Sequence, residues 1–330
     1  MKKIFALLLS AALLVTLLAA CGGGNTTDTD TDTQEPATDA STTQVEEQEP
    51  DTGDASKDDP LNQDEIGKKE LLVVSFGTSY NDSRRETIGA IEKAMQTAFP
   101  DYSVRRAFTS QIIIDHVKDR DGVTIDNVEQ ALERAVNNGV KTLVVQPTHL
   151  MNGLEYEELT DELAKYSDSF EKIAIGDPLL TSDADFEAVM TAITDATKDA
   201  ADGKTAICFM GHGTTADSNS VYSKMQTMLT DKGFNDYYVG TVEATPSLDD
   251  VLAAVQKGNY EKVILRPLMI VAGDHANNDM AGDEDDSWKS TFEKAGYTVD
   301  CQVEGLGQLE AIQQLFVEHA KAAVASAEAE

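Results

Sequence analysis

The chain is 330 residues long and strongly acidic, with 59 Asp and Glu against 26 Lys and Arg and a formal net charge of −33. That balance excludes nucleic acid and anionic membrane surfaces as partners, because both repel a polyanion. A hydrophobic fraction of 41% is enough for the core of one large domain or of two similar lobes.

In chain order, Lys2 and Lys3 precede an apolar run from Ile4 to Ala20, which closes on Leu18-Ala19-Ala20-Cys21 and three glycines. Positive charge, apolar segment and small residues in that order mark an export signal, and the run is short for a membrane span. Small residues before a cysteine form the lipobox pattern of bacterial lipoproteins. Residues 1–21 are therefore expected to be a signal peptide and Cys21 to be lipidated. The protein would then be extracytoplasmic and touch the cell membrane only through that anchor. Residues 22–67 are rich in Thr, Asp, Glu, Gln, Ser and Pro, with Lys57 as their single cation. Such a segment cannot bury enough apolar surface to offset its ordering entropy and reads as a disordered acidic stalk.

From residue 68 onward strands alternate with helices. Glu70–Phe76 is a short apolar strand stopped by Gly77-Thr78-Ser79. An amphipathic helix follows over about 82–99, ended by Pro100. Tyr102–Phe108 is the second strand, and helices over 111–118 and 125–138 lead to a third strand, 140–146, closed by Pro147. A helix over 154–165, a strand over 170–175 and a helix over 183–200 complete a first lobe, residues 68–200. The pattern then restarts with the apolar run Thr205–Met210 and Gly211-His212-Gly213-Thr214. A helix over 218–232, a strand over 237–242 and a helix over 247–257 follow. Then come a strand over 260–265 closed by Arg266-Pro267, a helix over 286–295, a strand over 297–303 and a helix over 309–325. They make a second lobe, residues 201–330. Regular β–α alternation with near-continuous apolar strands predicts an α/β fold of parallel sheets flanked by helices.

The restart is an internal duplication. Phe76-Gly77-Thr78 aligns with His212-Gly213-Thr214, Phe108-Thr109-Ser110 with Glu243-Ala244-Thr245, and Pro147 with Pro267. Eight residues past each proline stand Glu155 and His275. All these polar positions follow strand ends, the edge at which open α/β sheets bind ligands.

Among the five histidines, His116 and His319 fall on predicted helices and read as surface or half-buried residues. His149, His212 and His275 follow strand ends. Flanking glycines leave the His212 imidazole exposed, and Asp274 or Asp279 is placed to fix the tautomer of His275. Two imidazoles and the Glu243 carboxylate form a set suited to Co²⁺, Ni²⁺, Fe²⁺ or Zn²⁺, with coordination positions left open. There is no GxGxxG or GxxxxGK[ST] run, so no nucleotide cofactor is expected. There is no GxSxG, HExxH or CxxC motif either. Cys208 reads as a buried core residue, and a bridge from it to Cys301 stays open.

At the level of motifs the chain resembles the anaerobic cobalt chelatase family, sirohydrochlorin cobaltochelatase. The resemblance runs from about Lys69 to His319 through Leu72–Tyr80, Arg106–Ser110, Asn152-Gly153 with Glu155-Tyr156-Glu157, Met210–Gly213, Pro267–Met269, Val271–His275 with Asn278-Asp279-Met280, and Asp286–Lys289. It implies a class II chelatase fold, two Rossmann-like lobes related by a pseudo-twofold with a tetrapyrrole in the cleft. It also implies metal binding by His212, Glu243 and His275, catalytic roles for His212, His275 and Glu155, and a family histidine at His149. The expected activity is insertion of Co²⁺, with Fe²⁺ or Ni²⁺ as alternatives, into sirohydrochlorin or a related tetrapyrrole in anaerobic cobalamin biosynthesis. On this reading Phe76, Gly77, Thr78, Ser79, Phe108, His149 and Glu155 contact the macrocycle. Arg84, Arg85, Arg105, Arg106, Arg266 and Lys289 would offset its carboxylates. The alternative is an exported metal, haem or corrinoid binding and delivery protein without turnover. Homo-oligomer formation stays open.

Overall fold

The computed structural model describes residues 51–329, so the expected signal peptide, Cys21 and the expected stalk up to residue 50 lie outside the described residues. Strands β1 (Lys69–Ser75), β2 (Ser103–Phe108), β3 (Thr142–Pro147) and β4 (Lys172–Ile175) form one sheet in the order β2-β1-β3-β4. Strands β5 (Thr205–Gly211), β6 (Tyr237–Thr241), β7 (Lys262–Pro267) and β8 (Thr298–Cys301) form a second sheet in the order β6-β5-β7-β8. Every pairing is parallel. The repeated order is the α/β architecture expected from the sequence.

Both faces of each sheet are covered, which is why the central strands read as unbroken apolar runs. On β1, Leu71 and Val73 pack toward Ile91 and Met95 of α2 (Ile88–Ala98). Leu72 and Val74 pack the other way, with Leu132 of α4 (Val128–Asn137) and Leu159 of α5 (Leu154–Ala164). On β5, Ile207 and Phe209 meet Val189 and Ile193 of α6 (Asp183–Thr197) and Met225 and Leu229 of α7 (Ser220–Asp231). Cys208 and Met210 face Val251 and Val255 of α8 (Leu248–Val255) and Trp288 and Phe292 of α9 (Trp288–Lys294). Cys208 and Cys301 are free. They stand at one level on β5 and β8 with Leu265 of β7 between them, so two strand spacings, roughly 10 Å, keep them beyond bridging range.

Four expectations need correcting. First, residues 201–330 do not make one lobe: α10 (Glu310–Ala329) returns to the first sheet, where Phe316, Val317, Ala320 and Ala323 join the core of Val73 and Val144. In exchange α6 packs on the second sheet, its Thr197 hydroxyl 2.9 Å from the Tyr237 hydroxyl of β6. His319 of α10 contacts Asp185 of α6 at 3.0 Å, so one core runs through both halves.

Second, residues 51–67 are not part of a disordered stalk. Residues 51–67 lie on the first lobe, with Leu61 buried and its carbonyl accepting from the Arg106 amide at 3.1 Å. Third, the helix expected over 82–99 is two helices, α1 (Asn81–Glu86) and α2, separated at Thr87. Fourth, the repeat is offset by two residues in its second strand. Pairing sets Ser75 beside Phe108 and Gly211 beside Thr241. The amides of Ser110 and Glu243 then bond the carbonyls of Phe76 and His212. The counterpart of Glu243 is Ser110.

Candidate functional site

The carboxyl ends of β1, β3, β5, β6 and β7 open onto a cleft of about 550 Å³ between the sheets. The second lobe supplies His212, one residue past β5, Glu243, two past β6, and His275, eight past β7. One candidate ligand atom from each lies within 4.8 Å of the others. The imidazoles meet edge to face, with centroids 4.7 Å apart and planes at 78°.

Backbone geometry explains the placement. Gly213 has φ +90 and its absent Cβ leaves room for Ala244 and Thr241, so the chain can turn sharply after His212. Beneath it lies the buried Tyr222, whose ring a side chain on Gly211 would strike and whose hydroxyl accepts from the Gly213 amide at 3.3 Å. The amide of Glu243 donates to the His212 carbonyl, tying the two loops together. His275 opens a π-helical turn, Ala276–Met280, which brings Asp279 back beneath the ring.

Each imidazole has one nitrogen already engaged. His212 Nδ1 lies 2.7 Å from the Gly213 carbonyl oxygen, and His275 Nδ1 lies 2.7 Å from Asp279 Oδ2. Both partners are acceptors, so in each ring Nδ1 is the donor and Nε2 is the nitrogen left for a ligand. Of the two acids weighed for His275, Asp279 takes the role; Asp274 instead accepts from Asn278 at 2.7 Å. The set is two imidazoles and a carboxylate, partly open to the cleft.

The first lobe forms the facing wall with Phe76, Gly77, Thr78, Ser79, His149, Glu155 and Tyr156. Phe76 is 47% exposed, an unusual position for a phenylalanine in a soluble core and a natural one for an apolar wall. Glu155 Oε2 lies 3.8 Å from His149 Nε2. Enclosure by the cleft raises the Glu155 pKa above the usual carboxylate value, with His212 opposing the shift. His149 is buried, and neither ring nitrogen has a hydrogen-bond partner. Burial lowers its pKa to about 4, so its imidazole is neutral at pH 7.

Phe108 does not belong to this wall. It is fully buried under Gly77, packed with Ile88, Ile114 and Val117. The cations named for substrate carboxylates are also misplaced. Arg84, Arg105 and Arg106 are buried in ion pairs with Asp58, Glu70, Asp126 and Glu92. Arg266 pairs with Glu304, Lys289 with Asp283, and Arg85 with Asp82 and Glu86. No lysine or arginine lines the cleft among the described residues. His116 is exposed and His319 half-buried, both away from it. Sequence reasoning did not assign Tyr222, Thr214, Thr215, Ser218 or Met269 to Val271 to the site, and they too line the cleft. Only the glycine pair around His212 signalled the close approach of Tyr222.

Comparison with known proteins places the chain among chelatases. Residues 69–325 match the family described as cobalt chelatase (CbiK). The sirohydrochlorin cobaltochelatase of Salmonella typhimurium is 38% identical over 252 residues, covering 76% of this chain and 95% of that protein. The sirohydrochlorin cobaltochelatase CbiKC of Nitratidesulfovibrio vulgaris is 30% identical over 261 residues, covering 78% and 92%. Among solved structures, SirB from Bacillus subtilis with Fe3+ covers 80% of this chain and 98% of its own at TM-score 0.57 and 14% identity, a likeness of fold.

Proposed function

Because the chain belongs to the cobalt chelatase family, we propose that it inserts a divalent metal, Co²⁺ first among them, into sirohydrochlorin or a related tetrapyrrole held in the cleft. The observation that carries this reading is the meeting of His212, Glu243 and His275, distant in sequence, with ligand atoms within 4.8 Å of one another. Insertion forms metal–nitrogen bonds and releases two pyrrole protons. The second lobe would hold the ion through both Nε2 atoms and the Glu243 carboxylate while exchangeable positions stay open. The first lobe would seat the ring between the lobes, which supplies proximity. Glu155 would take up pyrrole protons there, its raised pKa suiting both acceptance and release. With no lysine or arginine in the lining among the described residues, the carboxylates of the ring would meet the hydroxyls of Thr78, Ser79, Thr214 and Thr215, or point to solvent. The lipobox at Cys21 supports work outside the cell membrane on a lipid anchor.

The test mixes the protein with sirohydrochlorin and Co²⁺ and follows the absorbance. A Co²⁺-dependent spectral change faster than the protein-free control is expected. Stoichiometric retention of metal or tetrapyrrole with no rate enhancement would replace this reading with binding and delivery. A second expectation concerns Asp279, which orients His275 through the 2.7 Å contact to its Nδ1. Asp279→Asn should weaken Co²⁺ binding by about 10–100-fold, read by titration calorimetry, with stability unchanged.

A further inference from the structure

The segment before β1 does more than link a tether to a domain. It lies outside the stretch shared with the cobalt chelatase family, residues 69–325, yet it is built into the first lobe. Its central group is Asp58, whose side chain is 3% exposed. The carboxylate accepts from Arg84 Nε at 2.6 Å and from Arg106 Nη1 and Nη2 at 2.7 and 3.0 Å. Both guanidinium groups are buried, and the other carboxylate of the cluster, Glu92, serves Arg106 alone. Without Asp58 the buried Arg84 would lose its carboxylate partner and Arg106 would keep only Glu92, a severe penalty at low polarity.

What the segment holds is α1. This six-residue helix is too short to be stable alone, and its buried residues, Asn81 and Arg84, are polar. Its anchors come from residues 51–61. The Asp82 amide donates to the Thr52 carbonyl at 2.9 Å, Asn81 Nδ2 to the Gly53 carbonyl at 3.2 Å, and Arg84 to Asp58. Gly53, at φ +92, packs where a side chain would strike Asp82.

The other side of α1 faces the site. Arg84 Nη1 donates to the carbonyl of Thr78 at 3.1 Å, and the Thr78 side chain lines the cleft against Gly273. Ser83 Oγ accepts from the Ala272 amide at 3.0 Å, a contact from the first lobe to the loop that ends in His275. We propose that residues 51–61 are a strap that positions the His275 loop through α1, with Asp58 as its positioning residue. Fixing α1 fixes Thr78 and Ser83, and these hold Ala272 and Gly273, three and two residues before His275. The proposal rests on the reading of His275 as a metal ligand, and its test carries one readout that needs no metal.

The experiment compares the full chain with Asp58→Asn, Ser83→Ala and the control Asp64→Asn. The control removes the Asp64–Arg134 ion pair near the strap without touching α1. Amide hydrogen exchange over residues 271–275 and Co²⁺ affinity by titration are measured on each. Asp58→Asn and Ser83→Ala should each speed exchange in that loop and weaken Co²⁺ binding about tenfold, while Asp64→Asn changes neither. Folded Asp58→Asn protein with wild-type exchange over 271–275 overturns the strap. If Asp58→Asn does not fold, Ser83→Ala decides by the same two readouts. Absence of Co²⁺ binding by the unaltered chain would remove the metal reading alone, and exchange would still judge the strap.

Discussion

Replacing His212 or His275 with alanine should lower the rate of Co²⁺ insertion into sirohydrochlorin by on the order of 10³-fold while leaving the fold intact. The expectation follows from where these rings stand. His212 is exposed and His275 half-buried at the carboxyl edge of the second sheet, and neither belongs to a core cluster. Surface substitutions of that kind usually change stability by less than about 0.5 kcal/mol. Each imidazole is nevertheless one of the three groups proposed to hold the ion. Nδ1 is already engaged, with the Gly213 carbonyl in one case and Asp279 in the other, so each ring is held in place before an ion arrives. Removing one leaves two donors and a misplaced ion, and a factor of 10³ corresponds to about 4 kcal/mol of lost transition-state stabilisation. Wild-type turnover in either variant, with unchanged circular dichroism, would contradict the assignment.

The second large effect is on stability. Arg106→Met should destabilise the chain by about 3–5 kcal/mol and lower the melting temperature by on the order of 10 °C. The guanidinium donates to Glu92 at 2.8 and 2.7 Å and to Asp58 at 2.7 and 3.0 Å. Burial alone would weaken its charge, but Glu92 and Asp58 hold its pKa above that of a free guanidinium. A methionine of similar volume leaves the Glu92 carboxylate, 2% exposed, without a counterion inside the core. The double variant Arg106→Met with Glu92→Leu should recover much of the loss, because an apolar pair needs no compensation. Denaturant unfolding of both variants checks this, and an unchanged midpoint for the single variant would refute it.

The sequence revealed the strands because each is an apolar run cut by glycine or proline. It pointed to the candidate site because polar residues of scarce types follow those runs. Other features depend on distant partners and left no local trace. Asp58 reads as one more acid in a polar stretch, and only the buried Arg84 and Arg106 make it structural. Those two arginines, with Arg105, read as substrate ligands, yet β2 turns Arg105 toward Glu70 and Asp126 and Arg106 toward Glu92. The helix expected from Ile125 starts at Val128, because Asn127 and Gln130 form a capping box and Asp126 bonds the Phe108 amide. The two-residue offset between Ser110 and Glu243 is a matter of strand pairing, to which similarity of short motifs is blind. The return of α10 to the first sheet is likewise a fact of topology, since an amphipathic helix carries no mark of the sheet it will cover.

Anomalous diffraction from crystals of the full chain soaked in Co²⁺ tests the central claim most directly. A single strong peak within bonding distance of the Nε2 atoms of His212 and His275 and a carboxylate oxygen of Glu243 is the expected result. Cobalt bound only at surface carboxylates, with those three side chains unliganded at saturating metal, would contradict it.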